Sequence, residues 1–235
     1  MKDNLTELVV VLDRSGSMSV VRGDAIGGFN TFLEAQQKAP GEANITVVQF
    51  NTILEKYADG VDVRSIKPLT QDTYVPYGNT ALYDAVGETI DKTGQRLASM
   101  KENDRPSKVI FAILTDGEEN SSKEYSGAQV KKAIEHQREK YNWDFIFLAA
   151  GEGAFKEANA IGMDLNKTIR FANTGENQTK SYEVLANYAS VSRSMSAADY
   201  MSFSSTVNLQ SAMDGDASID TTKVKKPDTT TSGNT

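Results

Sequence analysis

The chain has 235 residues, with 25 Lys and Arg against 32 Asp and Glu, a formal charge of -7 and no cysteine. That length suits one domain with a full core, and the lack of cysteine excludes a disulfide framework and thiolate metal sites. The acidic balance disfavours general binding to nucleic acid or anionic membranes, which needs a basic footprint, and no apolar run approaches the roughly 20 residues of a membrane-spanning helix.

Met1-Lys2-Asp3-Asn4 leads into the apolar run Leu8 to Leu12 with no small-residue cleavage site after it, so this start reads as a strand and not a signal peptide. A cytoplasmic protein is expected. Ile26, Phe29 and Leu33 recur at helical spacing. Asn44 to Phe50 fits a second strand, and Asn51-Thr52 can turn it into Ile53 to Tyr57 as a short antiparallel edge hairpin. Leu82, Val86 and Ile90 mark another helix, Val109 to Leu114 a buried strand, Val130 and Ile134 a further helix, and Phe145 to Ala150 a strand. Thr168 to Phe171 is a weaker last strand, followed by a helix from about Glu176 to Ser194 with Tyr182, Leu185 and Ala189 on its inner side.

The three long runs are continuous and not alternating, the pattern of parallel strands covered on both faces. Strands alternating with amphipathic helices imply right-handed crossovers. The expected fold is α/β: a doubly wound, mostly parallel sheet with helices on both faces and one antiparallel edge hairpin. The expected domain spans residues 1–203. Residues 204–235 turn polar, ending in Lys225-Lys226-Pro227-Asp228 and a Thr/Ser/Gly run, and read as a flexible tail.

Chemistry is expected outside the carboxyl ends of the parallel strands, where strand order reverses. Asp13-Arg14-Ser15-Gly16-Ser17 follows the first strand, gathering one carboxylate and two hydroxyls. Thr115-Asp116-Gly117 follows the Val109 strand, which in a doubly wound order lies beside the first. Two carboxylates at one edge repel unless a cation joins them, and hard divalent cations take such oxygen donors. Gly78-Asn79-Thr80 precedes the helix near Ala81, where Thr80 fits either a helix N-cap or a metal ligand. Singly, Asp-Gly pairs and Ser-rich turns are ordinary turn formers.

Together, Asp13-x-Ser15-x-Ser17, Thr80 within Gly78-Asn79-Thr80-Ala81-Leu82-Tyr83-Asp84-Ala85, and Thr115-Asp116-Gly117 resemble a von Willebrand factor A-type domain with its metal-ion-dependent adhesion site. The resemblance covers about Leu5 to Ser194. It is similar to the intracellular bacterial or phage members, since the absence of cysteine departs from the secreted adhesive branch. It implies that Ser15 and Ser17 coordinate the cation directly, Thr80 directly or through water, and Asp13 and Asp116 mainly through waters or hydrogen bonds. The implied cofactor is Mg²⁺, with Ca²⁺ or Mn²⁺ as alternatives. The implied partner is a protein presenting an Asp or Glu, with no nucleic acid, no membrane and no catalysis.

Two other readings use the same residues: an intracellular assembly subunit with a structural metal, and a metal-dependent hydrolase with Glu118 or Glu119 as base. An aspartyl-phosphate enzyme built on Asp13 lacks the second acid, because Ser15 occupies its place. Gly175-Glu176-Asn177-Gln178-Thr179-Lys180-Ser181 imitates a phosphate-binding loop but carries Thr179 where the second glycine belongs, so it reads as a helix start. His136, the only histidine, reads as solvated on a helix, and Arg22-Gly23-Asp24 as the first turn of one. Tyr74 and Tyr77 can line the metal face or pack its loop, and Trp143 reads as packing at the opposite end of the sheet.

Overall fold

The computed structural model describes residues 1–219. Its strands are β1 (Lys2–Asp13), β2 (Glu42–Phe50), β3 (Leu54–Asp62), β4 (Pro106–Thr115), β5 (Asp144–Ala150) and β6 (Thr168–Phe171). They form one sheet in the order β3-β2-β1-β4-β5-β6, in which every neighbouring pair is parallel except β2 with β3. This is the expected doubly wound sheet with its antiparallel edge hairpin. The order reverses between β1 and β4, which pair through Leu12 and Leu114 just below Asp13 and Asp116.

Helices α1 (Arg22–Lys38), α2 (Leu82–Ser99), α3 (Gly127–Tyr141), α4 (Glu152–Ala160) and α5 (Gly175–Arg193) cover the sheet, followed by α6 (Ala197–Thr206) and α7 (Leu209–Asp214). Leu8, Val10 and Leu12 of β1 belong to the core under α1 and α5, while Val9 and Val11 belong to the one under α2, α3 and α4. A strand buried on both faces needs apolar residues at every position, which is why its run does not alternate. Each such side chain contributes about 2 kcal/mol of burial. The helices α1 and α5 meet at Gly28, where a Cβ would stand 2.2 Å from the Tyr182 ring. Only glycine lets the buried tyrosine lie against that helix.

Beyond the expected elements the chain forms α4, whose buried positions are the small Ala154 and Ala158 and leave little periodic signal. Of the tail expected over 204–235, residues 220–235 lie outside the described residues. The part within them forms structure: α6 runs to Thr206, and α7 buries Leu209 and Met213. Those two stand four apart, but one helical turn is too short for a periodic pattern to show. A buried polar network holds α6 at the pole away from Asp13. Asp144 Oδ2 accepts from Ser204 Oγ at 2.9 Å, Tyr200 OH at 3.1 Å, Lys167 Nζ at 3.3 Å and the Tyr188 hydroxyl. At that pole Trp143 is buried and stacks near Phe111 and Phe145, the packing role expected of it.

A second buried pair ties α2 to the sheet. Glu7 of β1 is wholly buried and accepts from Arg96 Nη2 at 2.5 Å and Thr46 Oγ1 at 3.1 Å. Burial raises its carboxyl above the ordinary range, and Arg96 opposes the rise. A carboxyl raised in the fold contributes stability that is fully present below its unfolded-state pKa and is lost as pH rises through the folded value. Removing the cation enlarges that loss. Arg96→Ala is expected to lower unfolding stability by about 3 kcal/mol at neutral pH, with the deficit shrinking as pH falls through the raised Glu7 value. Urea unfolding across pH checks it; a deficit that does not change with pH contradicts this account.

Candidate metal centre

Three loops meet above the β1–β4 seam. Asp13 ends β1 and is fully buried, with Oδ1 accepting from Ser15 N at 2.7 Å and Oδ2 from Thr115 Oγ1 at 2.5 Å. The first bond folds the chain back into a turn that places Ser15 Oγ 3.1 Å from Ser17 Oγ. Ser17 Oγ then donates to Asp116 Oδ1 at 2.7 Å. The Asp13 and Thr80 loops join through Gly16 N to Gly78 O and Tyr77 N to Arg14 O, both 3.0 Å. Gly78 takes a φ of +73°, and a Cβ there would stand 2.9 Å from Thr52 Oγ1, so this turn requires glycine.

Thr80 is buried and does not cap α2. The first turn of that helix receives Glu119 Oε2 on Tyr83 N at 2.9 Å and Ser122 Oγ on Asp84 N at 3.0 Å. The Asp84 carboxylate returns the contact by accepting from Lys123, Glu124 and Tyr125 amides at 2.8–2.9 Å. Thr80 itself is clamped through its backbone, N to Asn120 Oδ1 at 2.9 Å and O from Asn120 N at 3.0 Å. Its hydroxyl faces Gly117, where a Cβ would lie 3.2 Å from Oγ1. Of the two roles open to Thr80, the cap is taken by residues of another loop.

The five sequence-predicted residues, Asp13, Ser15, Ser17, Thr80 and Asp116, are therefore brought to one edge. Burial is the main influence on both carboxyls: it pushes Asp13 up to about 6, with Asp116 nearby adding to the rise, and it raises Asp116 as well. Neither forms an ion pair with a Lys or Arg among the described residues. No group of three or more His, Asp or Glu gathers there either, so the donor set depends on hydroxyls. Two carboxylates without a protein cation, joined by three hydroxyls, fit a hard divalent ion that keeps part of its water.

Sequence reasoning quoted Thr115 with Asp116 but gave it no role, and it did not find Asn120 or Asn173. Thr115 binds Asp13, Asn120 clamps Thr80, and Asn173 Nδ2 donates to Asp116 Oδ2 at 3.0 Å while its Oδ1 accepts from Gln178 at 3.1 Å. Asn173 follows β6, so the rule that sites lie at carboxyl ends of strands had reached it had that strand read more strongly. The two tyrosines divide the roles left open for them. Tyr74 is buried with its hydroxyl on the Asp13 carbonyl, and Tyr77 is exposed at the rim. Glu119 accepts four hydrogen bonds, from the Ser121, Ser122 and Tyr83 amides and the Ser122 hydroxyl. Gly175 begins α5 behind the N-cap Thr174, and Arg22 begins α1, so both mimic motifs are helix starts. His136 is exposed on α3.

The von Willebrand factor type A domain model matches residues 7–184. Among curated proteins, no sequence matches the chain. Proximal thread matrix protein 1 of the mussel byssus has a similar structure, with a TM-score of 0.57 at 15% identity over 81% of this chain and 48% of that one. The same mussel protein with a zinc-occupied MIDAS motif gives 0.57 at 13% identity over 80% and 49%. Manganese-loaded TRAP protein of Plasmodium vivax gives 0.54 at 16% identity over 72% and 70%. The chain spans about half the length of the mussel structures, and at such identities the likeness is one of fold. The family model, in contrast, covers more than half of the chain and all three loops of the site, and the chain belongs to the von Willebrand factor type A domain family.

Proposed function

We propose that the chain is a divalent-metal-dependent protein-binding module that captures an acidic side chain of a partner. Domains of this family typically bind partners through such a metal and are usually non-catalytic. The observation that carries the reading is the layering of the site: Asp13 and Ser15 are buried while Ser17 is exposed beside Asp116. Ser15 and Ser17 are the direct ligands and Thr80 a direct or water-mediated one. Asp13, with both oxygens already engaged, orients Ser15 and neutralises charge from beneath, and Asp116 acts mainly through waters. A bound cation supplies an electrophilic position for an incoming carboxylate, left open by the small number of direct anionic ligands. Mg²⁺ is the proposed ion, with Ca²⁺ or Mn²⁺ fitting the same oxygens.

The saturated Glu119 carboxylate removes one of the two candidate bases for hydrolysis, because a general base needs a free lone pair near the reacting proton. No described helix is long and apolar enough to cross a membrane. With the acidic charge and the lack of cysteine, that supports a cytoplasmic protein partner over lipid or nucleic acid.

Mg²⁺ at about a hundred times its dissociation constant is expected to stabilise the chain by about 2.7 kcal/mol, or roughly 5–10 °C in melting temperature. Asp13→Ala abolishes that rise, as does chelator in differential scanning fluorimetry. Affinity capture from native extract, run in Mg²⁺ and in chelator with wild type and Asp13→Ala, is expected to retain a partner only for wild type in Mg²⁺. Retention in chelator sinks the reading, and a complex that survives Asp13→Ala on size exclusion supports the assembly-subunit alternative instead.

A further inference from the structure

The two flanks of the metal face differ in chemistry. Nine large apolar side chains are exposed among the described residues, and four of them border the loops of the centre: Val20, Ile53, Val75 and Tyr77, at 88%, 55%, 43% and 48% exposure. Hydrogen bonds join their carriers into one rim. Tyr77 N donates to Arg14 O at 3.0 Å, and Asn79 N donates to Thr52 Oγ1, beside Ile53, at 3.0 Å. Arg22, two residues after Val20, donates Nε to Tyr74 O, beside Val75, at 3.0 Å. The Tyr77 ring is held in place by the buried Arg14, whose guanidinium lies 5.3 Å from its centre and bonds Glu55 at 2.7 Å. Exposed apolar residues scattered singly need no explanation, but these four stand on the loops that border one candidate ligand site. A fixed aromatic ring is a low-entropy anchor among them.

Across Asp116 the flank is acidic. Glu118 is exposed over Gly153, where a Cβ would fall 2.6 Å from its Cγ, and Asp24 lies beside Gly175 at the start of α5. Glu176 occupies the first turn of the same helix, three residues after Asn173, which bonds Asp116. Such a flank repels a second acid and attracts a base.

We propose that the face takes a polypeptide segment whose metal-seeking Asp or Glu has an apolar residue on one side and a Lys or Arg on the other. This rests on the metal-dependent reading and adds the flanking chemistry of the partner. The apolar residue covers Ile53, Val75 and Tyr77, and the basic one faces Glu118 and Glu176, so the two flanks also set the direction of the bound segment.

The test is an immobilised peptide array with a fixed central Glu and every residue type in turn on either side, probed with the full chain in Mg²⁺ and in chelator. Retention is expected only in Mg²⁺, and most for peptides with Leu, Ile or Phe on one side and Lys or Arg on the other. Ile53→Ser and Val75→Ser, with melting curves unchanged, each weaken retention of those peptides about tenfold, the loss of about 1.4 kcal/mol, and leave Gly-flanked peptides unaffected. Glu118→Lys removes the preference for the basic residue. Mg²⁺-dependent retention with no flank preference, or with one that the variants leave intact, overturns the flank inference and spares the metal reading. Absence of any Mg²⁺-dependent retention overturns both.

Discussion

The Asp13 carboxylate lies at the seam of two parallel strands, one oxygen on an amide of its own loop and the other on the Thr115 hydroxyl of β4. It is fully buried and pairs with no Lys or Arg among the described residues, and its position decides the rest of the face. The Ser15 bond turns the chain so that two serine hydroxyls face the same way. The Thr115 bond aligns β4 so that Asp116 emerges opposite Ser17. A carboxylate buried at such a seam is tolerated because hydrogen bonds replace its lost hydration. Burial still raises the carboxyl, and the Thr115 and Ser15 hydrogen bonds oppose the rise.

The same economy of hydrogen bonds governs the Thr80 loop. A helix start leaves several amides without partners, and a threonine just ahead of one is normally drawn into capping them. Here Glu119 and Ser122, from the loop after β4, take that task for α2, while Asp84 secures their loop in return. Two segments some forty residues apart thereby lock each other, and the Thr80 hydroxyl stays aimed at Gly117 and the edge of the site. Glu119, a possible base by its place in the sequence, is a scaffold residue by its contacts.

The two poles of the sheet are built on opposite terms. At the far pole Asp144, Lys167, Tyr188, Tyr200 and Ser204 satisfy one another inside a closed network, and the result is that α6 is docked. At the near pole two carboxylates and three hydroxyls face an exposed rim that is apolar on the hairpin side and acidic on the other. Closed networks fix structure. Incomplete ones leave donors for a ligand.

The sequence by itself determined the strands and the two-faced sheet by local rules, and the proposed site residues by those rules for Asp13 and Asp116 and by resemblance to a family motif for Ser15, Ser17 and Thr80. Continuous apolar runs require burial on both faces, and the carboxyl ends of adjacent parallel strands bring Asp13 and Asp116 together whatever the loops do. Helices α4, α6 and α7 escaped it, since Ala154, Ala158, Tyr200, Leu209 and Met213 are too small or too few to make a periodic signal. Only the tertiary structure decided that Thr80 is free of its helix, that Tyr74 is buried and Tyr77 exposed, that Glu119 is spoken for, and that Asn173 reaches Asp116. The Thr80, Tyr74 and Asn173 outcomes, and the Tyr83 bond to Glu119, depend on hydrogen bonds between residues far apart in the chain, which have no period and leave no trace in composition.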